Sequence, residues 1–142
     1  MKKITVLFYF LLLLTLHNAI AGQSLIKIFY PGSYAKILEG NKGKAFTLLF
    51  WSVDCSSCLE KLKLISKAEI YANQTFVFVS TDGDDMLVDV ISVIKQMNLE
   101  QQAHWVFKSE LTQEIINSVD NTWYGEVPRN YYFDKDHQRI RL

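Results

Sequence analysis

Residues 45–58 read AFTLLFWSVDCSSC, and the change of character within this stretch decides the fold. Ala45 to Trp51 is a continuous apolar run of strand length. Runs of this kind suit a central strand that is covered on both faces. From Cys55 onward the period changes. Leu59, Leu62, Ile65 and Ala68 recur at helical spacing, with Lys61, Lys63 and Lys67 mostly on other faces. A strand therefore ends and a helix begins around Cys55-Ser56-Ser57-Cys58.

The same alternation extends in both directions. Leu25 to Phe29 reads as a first strand closed by Pro31-Gly32, followed by a short helical turn from Ser33 to Leu38 and a turn at Asn41-Lys42-Gly43. Thr75 to Ser80 is a second buried-type strand, and Thr81 to Asp85 reads as a polar, glycine-containing loop. Met86, Leu87, Val90, Ile91, Ile94 and Met97 then form an apolar helical stripe. His104 to Phe107 reads as a short strand, and Ser109 as the N-cap of a helix carrying Leu111, Ile115, Ile116 and Val119. A loop, Asn121 to Val127, leads through Pro128 to a strand from Asn130 to Phe133. Asp134-Lys135-Asp136 then turns the chain into a return strand, Gln138 to Arg141. Strands alternating with helices and ending in a hairpin predict an α/β sheet with helices on its faces.

The chain has 142 residues, the size of one domain, with 49% hydrophobic and 13% aromatic residues. Fifteen basic residues balance fifteen acidic ones, so no large field points to nucleic acid or an acidic lipid surface. The first residues differ from the rest. Lys2 and Lys3 precede an apolar run, Ile4 to Leu16, and then the small-x-small pattern Ala19-Ile20-Ala21. That is the layout of a secretory signal peptide at residues 1–21, with cleavage expected after Ala21. Residues 22–142 form the domain. The run is short against the roughly 20 residues of a spanning helix, so no membrane span is expected after cleavage. A retained N-terminal tether is the alternative.

Export places the domain where cysteines serve as structural disulfides or redox catalysts. The sequence has two cysteines, three residues apart. On the first turn of a helix that spacing brings both sulfurs within bonding reach. The helix N-terminus stabilises a thiolate on Cys55, while Cys58 lies one turn inside and would act second. An inert staple is the weaker reading, because a bridge across so short a loop removes little unfolded-state entropy. Zinc would need two further ligands, and His104 and His137 stand in no ligand-like spacing.

These residues carry a family resemblance. Phe50 to Cys58 resembles the Trp-x-x-x-Cys-x-x-Cys motif of thioredoxin-like proteins, and Gly125-Glu126-Val127-Pro128 resembles their cis-proline loop. Phe133-Asp134-Lys135-Asp136 resembles the strand and turn that follow it. With the exported N-terminus, the whole is similar to the TlpA/ResA-type branch. The resemblance implies a thioredoxin-like fold over roughly residues 25–142, a central mixed sheet flanked by helices. The sequence stops at Leu142, where the family continues into a C-terminal helix, so the expectation is a thioredoxin-like fold with that helix missing, as a shortened variant or a fragment. It further implies Cys55 as nucleophile and Cys58 as resolving cysteine, with Pro128 in cis against the disulfide. The Val127 backbone would pair with an extended substrate, and Trp51 would pack beside the cysteines as part of the substrate-binding set. No metal or other cofactor is implied.

Some positions depart from the pattern. Leu49 stands where cytoplasmic thioredoxins carry a buried acid, and Asp54 directly precedes Cys55, where an unpaired carboxylate opposes thiolate formation. Ser56-Ser57 offers hydroxyls but no cation. Trp105, Trp123 and Tyr124 are candidates for lining the groove or the core. Asp82, at the end of the second strand, is read as a solvated loop acid, with an approach to the site as the alternative, and Arg129 faces substrate or solvent.

The leading expectation is a reductase of exported thiol and disulfide proteins, for instance apocytochrome c before haem attachment, in the periplasm or another extracytoplasmic space. A membrane thiol donor of the DsbD type would recharge it. One alternative is a DsbA-like oxidase. Another is a non-catalytic thioredoxin-like module or metallochaperone that binds a partner or a copper ion. Reduction potentials separate the first two, at roughly −270 mV for thioredoxin and −120 mV for the strong oxidant. Ser56-Ser57 and Asp54 point to the reducing side.

Overall fold

The computed structural model describes residues 26–140; the expected signal segment and its cleavage site lie outside these residues. The run that opened the sequence reading becomes strand β2, Phe46–Trp51, and all six of its residues are buried. A strand with no solvent face must lie inside a sheet and be covered above and below. It does. The remaining strands are β1 (Ile26–Phe29), β3 (Phe76–Gly83), β4 (Ala103–Phe107), β5 (Arg129–Phe133) and β6 (Arg139–Ile140). They form one sheet in the order β1-β4-β3-β2-β5-β6. β1 pairs with β4, β4 with β3 and β3 with β2 in parallel, while β5 runs antiparallel to both β2 and β6.

The helices are α1 (Ser33–Gly40), α2 (Ser56–Lys67), α3 (Leu87–Gln96) and α4 (Thr112–Val119). Two apolar layers separate along β2 by alternation. Leu48 and Phe50 join Phe29, Ile37 of α1, Phe107, Ile115 and Ile116 of α4, Trp123 and Tyr131. Leu49 and Trp51 join Cys58, Leu62 and Ile65 of α2, Phe78, and Val90 and Ile94 of α3. The helical stripes read from sequence are thus the faces that cover the sheet. Phe50 is fully buried, with ring centroids of Trp123, Tyr131, Phe107 and Phe29 between 4.6 and 6.2 Å away.

Two sequence expectations are corrected. Thr81 to Asp85 is not simply a loop, because β3 runs on to Gly83 before a 3-10 turn at Asp84–Met86. Its register against β4 jumps, with Ser80 opposite Val106 and Gly83 opposite Phe107. Thr81 and Asp82 therefore form a bulge. Ser109 does not cap α4. It starts a 3-10 turn, Ser109–Leu111, that precedes the helix. The Ser109 hydroxyl lies 2.7 Å from Asp84 Oδ1 and 2.6 Å from Asp85 Oδ1, so its bonding capacity goes to the end of β3. Gly83 permits this approach, since a Cβ there would collide with Asp85 Oδ1 and the Ser109 side chain.

A cluster around Asp120 ties β5 and β6 to the end of α4. Its carboxylate accepts from the Thr122 hydroxyl (2.6 Å) and backbone N–H (3.0 Å), from Arg139 (2.9 Å) and from the Tyr131 hydroxyl (3.1 Å). The Thr122 hydroxyl above all, with Arg139, holds this carboxyl well below the usual carboxylate range. On the other side of the molecule, His104 is buried against the Phe78 ring at 5.3 Å. Its Nε2 lies 2.8 Å from the Leu99 carbonyl, and Nδ1 has no hydrogen-bond partner among the described residues. Burial pushes the His104 pKa down.

Both groups take up protons more readily in the unfolded chain, so acid should cost stability in two windows. The His104 contribution is intact above the ordinary histidine value, about 6.5, and falls away below it. That of Asp120 is intact above about pH 4 and is lost as pH falls further. Denaturant titrations should show H104F flattening the upper window. D120A should lower the unfolding free energy by about 2 kcal/mol at neutral pH and shrink the lower window, to which Asp84 and Glu110, held low by Ser109 and Lys108, also contribute.

Candidate active site

Parallel strands that end at one edge of a sheet bring their following loops together there. The chain leaves β2 through Ser52-Val53-Asp54 and enters α2 at Ser56. Cys55 is the N-cap, extended at φ −99° and ψ 100°, and its sulfur accepts the Cys58 backbone N–H at 3.2 Å. This N–H is one of the four that open every helix without an intrahelical partner. The Ser57 hydroxyl lies 3.4 Å from the same sulfur. A disulfide sulfur has no hydrogen, so the hydroxyl is the donor.

Cys55 and Cys58 are joined in a disulfide, with Cα atoms 5.1 Å apart. The two sulfurs are not equivalent to solvent. Cys58 is fully buried against the Leu62 and Ile65 face of α2, whereas Cys55 is half-buried. Beneath them Leu49, fully buried, belongs to the same apolar cluster. Asp54 is exposed.

β5 runs antiparallel to β2, so the loop that precedes it arrives at the same edge. The Val127–Pro128 peptide bond is cis, and the Val127 carbonyl oxygen lies 3.7 Å from Cys55 Sγ. The loop is anchored from below. Trp123, 2% exposed, donates its indole N–H to the Glu126 carbonyl at 2.9 Å. Gly125 adopts φ 94°, the left-handed region open to glycine. The Glu126 carboxylate accepts from the Tyr124 N–H (3.1 Å) and pairs with Arg129 (2.6 Å).

The structure brings Cys55, Cys58 and Val127 together, with Pro128 next in the chain. Trp51 differs from its place in the substrate-binding set. It is 1% exposed and belongs to the core cluster with Cys58, so it offers no surface to a docked segment. Trp123 is core and Trp105 half-buried, while Tyr124 is 92% exposed. Arg129 faces neither open solvent nor an empty groove, being bonded to Glu126, Tyr131 and Asp120.

Asp82 takes the alternative place, at the site and not in solvent. It is no free loop acid. Its carboxylate accepts the Ser52 hydroxyl (2.8 Å), the Val53 N–H (2.9 Å) and the Ser80 hydroxyl (2.6 Å). The sequence did hold a signal, namely Ser52 and Ser80-Thr81-Asp82 closing two apolar strands.

No protein-family model and no curated protein matches the sequence. Solved structures do match. One is a secreted disulfide oxidoreductase of Mycobacterium tuberculosis, described as homologous to E. coli DsbE. It is 19% identical at a TM-score of 0.54, over 72% of this chain and 70% of that one. The thioredoxin domain of a thiol–disulfide oxidoreductase from Bacteroides vulgatus is 21% identical at 0.55, over 72% and 71%. A thioredoxin-family thiol:disulfide interchange protein from Chlorobium tepidum is 18% identical at 0.52, over 73% and 71%. At such identities the likeness is one of architecture, and with the mixed sheet and its flanking helices it identifies this chain as a thioredoxin fold.

Proposed function

We propose that this domain is an exported thiol–disulfide oxidoreductase that reduces disulfides of exported proteins through its Cys55/Cys58 pair. The observation that carries the thiol–disulfide chemistry, whichever way it runs, is the position of the Cys55 sulfur. It caps a helix, receives a backbone N–H, and sits 3.7 Å from the Val127 carbonyl. Charge-assisted donation from a helix terminus lowers a thiol's pKa and so raises its thiolate fraction at neutral pH.

In the reduced protein, the Cys55 thiolate attacks one sulfur of a substrate disulfide. A Cys55–substrate bond forms, the substrate's own S–S bond breaks, and its second sulfur leaves as a thiolate that takes up a proton. Cys58, deprotonated in turn, attacks Cys55 Sγ. This releases the remaining substrate thiolate and closes the Cys55–Cys58 disulfide. Two electrons have passed from the protein dithiol to the substrate. Burial of Cys58 makes it the second actor, because an external disulfide reaches only Cys55. An extended substrate segment pairs with the Val127 backbone beside Pro128, and Trp51 supports the pair from the core.

Recharging requires an external dithiol, and a membrane thiol donor of the DsbD type fits an extracytoplasmic domain. The layout of Lys2 to Ala21 supports that location, as does likeness to a protein described as secreted. On the same motifs we place the chain in the TlpA/ResA-type branch, with apocytochrome c cysteines among its substrates. The Ser57 hydroxyl beside Cys55 favours the second reading, a DsbA-like oxidase, since each donor to the sulfur stabilises the reduced form. No cation stands between the cysteines, and Asp54 opposes the thiolate. The balance is on the reducing side.

Two experiments test these assignments. Cys58→Ser should trap partners as mixed disulfides on Cys55, seen on non-reducing gels and identified by mass spectrometry, whereas Cys55→Ser should trap few. The reverse pattern would exchange the two roles. Equilibration with glutathione buffers should give a potential nearer roughly −270 mV than −120 mV; a value at the upper end would establish the oxidase.

A further inference from the structure

We propose that Asp82 is a positioning residue for the redox turn, fixing the geometry in which the Cys58 N–H meets the Cys55 sulfur. The inference rests on the catalytic reading above and deepens it. It starts from the bulge in β3. Trp51, the last residue of β2, is paired with Ser80. Thr81 and Asp82 lie beyond that pair and outside the ladder to β4. Both turn toward the end of β2. The Thr81 hydroxyl donates to the Trp51 carbonyl at 3.3 Å. Asp82 reaches past it, taking the Ser52 hydroxyl on Oδ1 and the Val53 N–H and Ser80 hydroxyl on Oδ2. Its own N–H donates to Ser80 Oγ at 3.1 Å, which fixes the carboxylate from behind.

From there the connection to the sulfur is short. The Ser52 carbonyl accepts the Cys55 N–H at 3.2 Å, and Ser52 Oγ accepts the Asp54 N–H at 3.3 Å. Holding Ser52 and Val53 therefore holds Asp54 and Cys55, and with them the first turn of α2. Three donors converge on the Asp82 carboxylate and occupy both of its oxygens. An amide keeps only one acceptor oxygen, so the Ser52 hydroxyl, alone on Oδ1, must give up its bond or turn round to accept, and the brace is weakened. Bulges commonly re-aim a side chain next to an active site. Here the re-aimed side chain braces the turn that carries the nucleophile.

The sign of the effect separates bracing from charge. As a bare negative charge near the cysteines, Asp82 would disfavour the Cys55 thiolate, and neutralising it would stabilise the dithiol form. As a brace it favours the thiolate, by keeping the Cys58 N–H on the sulfur. Loss of the brace would then weaken the dithiol form relative to the disulfide.

The test equilibrates the purified domain with reduced and oxidised glutathione, in which the protein dithiol passes two electrons to glutathione disulfide. Asp82→Asn should shift the equilibrium about tenfold toward the protein disulfide, about 30 mV more reducing. Ser52→Ala removes one of the three donors and should shift it the same way by less. This milder variant carries the test if Asp82→Asn does not fold. An unchanged equilibrium in a folded Asp82→Asn protein would overturn the proposal, and so would a shift toward the dithiol. Wild-type protein that fails to exchange with glutathione at all would overturn the catalytic reading, and this inference with it. Wild-type exchange with an unaffected variant overturns the inference alone.

Discussion

Everything at the site depends on the burial of one strand. Phe46 to Trp51 have no solvent face, so β2 must run through the interior with a neighbour on each side and helices above and below. One neighbour, β3, is parallel and the other, β5, is antiparallel. A parallel neighbour finishes at the edge where β2 finishes, and an antiparallel one begins there. The end of β3 thus delivers Asp82, the end of β2 delivers Ser52 to Cys55, and the start of β5 delivers Val127 and Pro128. Long-range sequence separations, 72 residues between Cys55 and Val127, collapse to neighbouring positions without any segment being specially directed there.

The aromatic layer on the α1 and α4 side sets the height of the proline loop. Trp123 sits under Phe50 at 4.6 Å and spends its single polar group on the Glu126 carbonyl. A buried indole of this kind is apolar area with one directional tether. The tether fixes the backbone immediately before Val127. Core packing and the placement of the Val127 carbonyl are therefore one constraint. A change of shape beneath Trp123 would be felt at the cysteines, which lie over the other face of the sheet.

Much of this was legible in the sequence. Periodicity identified β2, α2 and α3, because each has an uninterrupted apolar face and such faces are local properties. The end of β3 and the turn at Ser109 were not legible. Their residues are polar and short, and what makes them strand and brace is a partner distant in sequence, Ser52 for Asp82 and Asp84 for Ser109. Trp51 packs beside Cys58 as the resemblance implies, but the depth of its burial was not legible, for a different reason. A strand covered on both faces has lost the alternation of apolar and polar residues that separates inside from outside. Arg129 stayed undecided because its partners, Asp120 and Glu126, precede it in a loop whose path composition alone does not determine.

The bulge in β3 also sits at the very end of its strand. Between Ser80 and Gly83 the strand takes three steps while β4 takes one, from Val106 to Phe107, an excess of two residues, and β3 closes at Gly83. No paired strand follows whose facing the extra residues could disturb. The length of this segment is therefore free to vary without disturbing the sheet, and what a longer or shorter segment alters is how far an acid reaches over the end of β2.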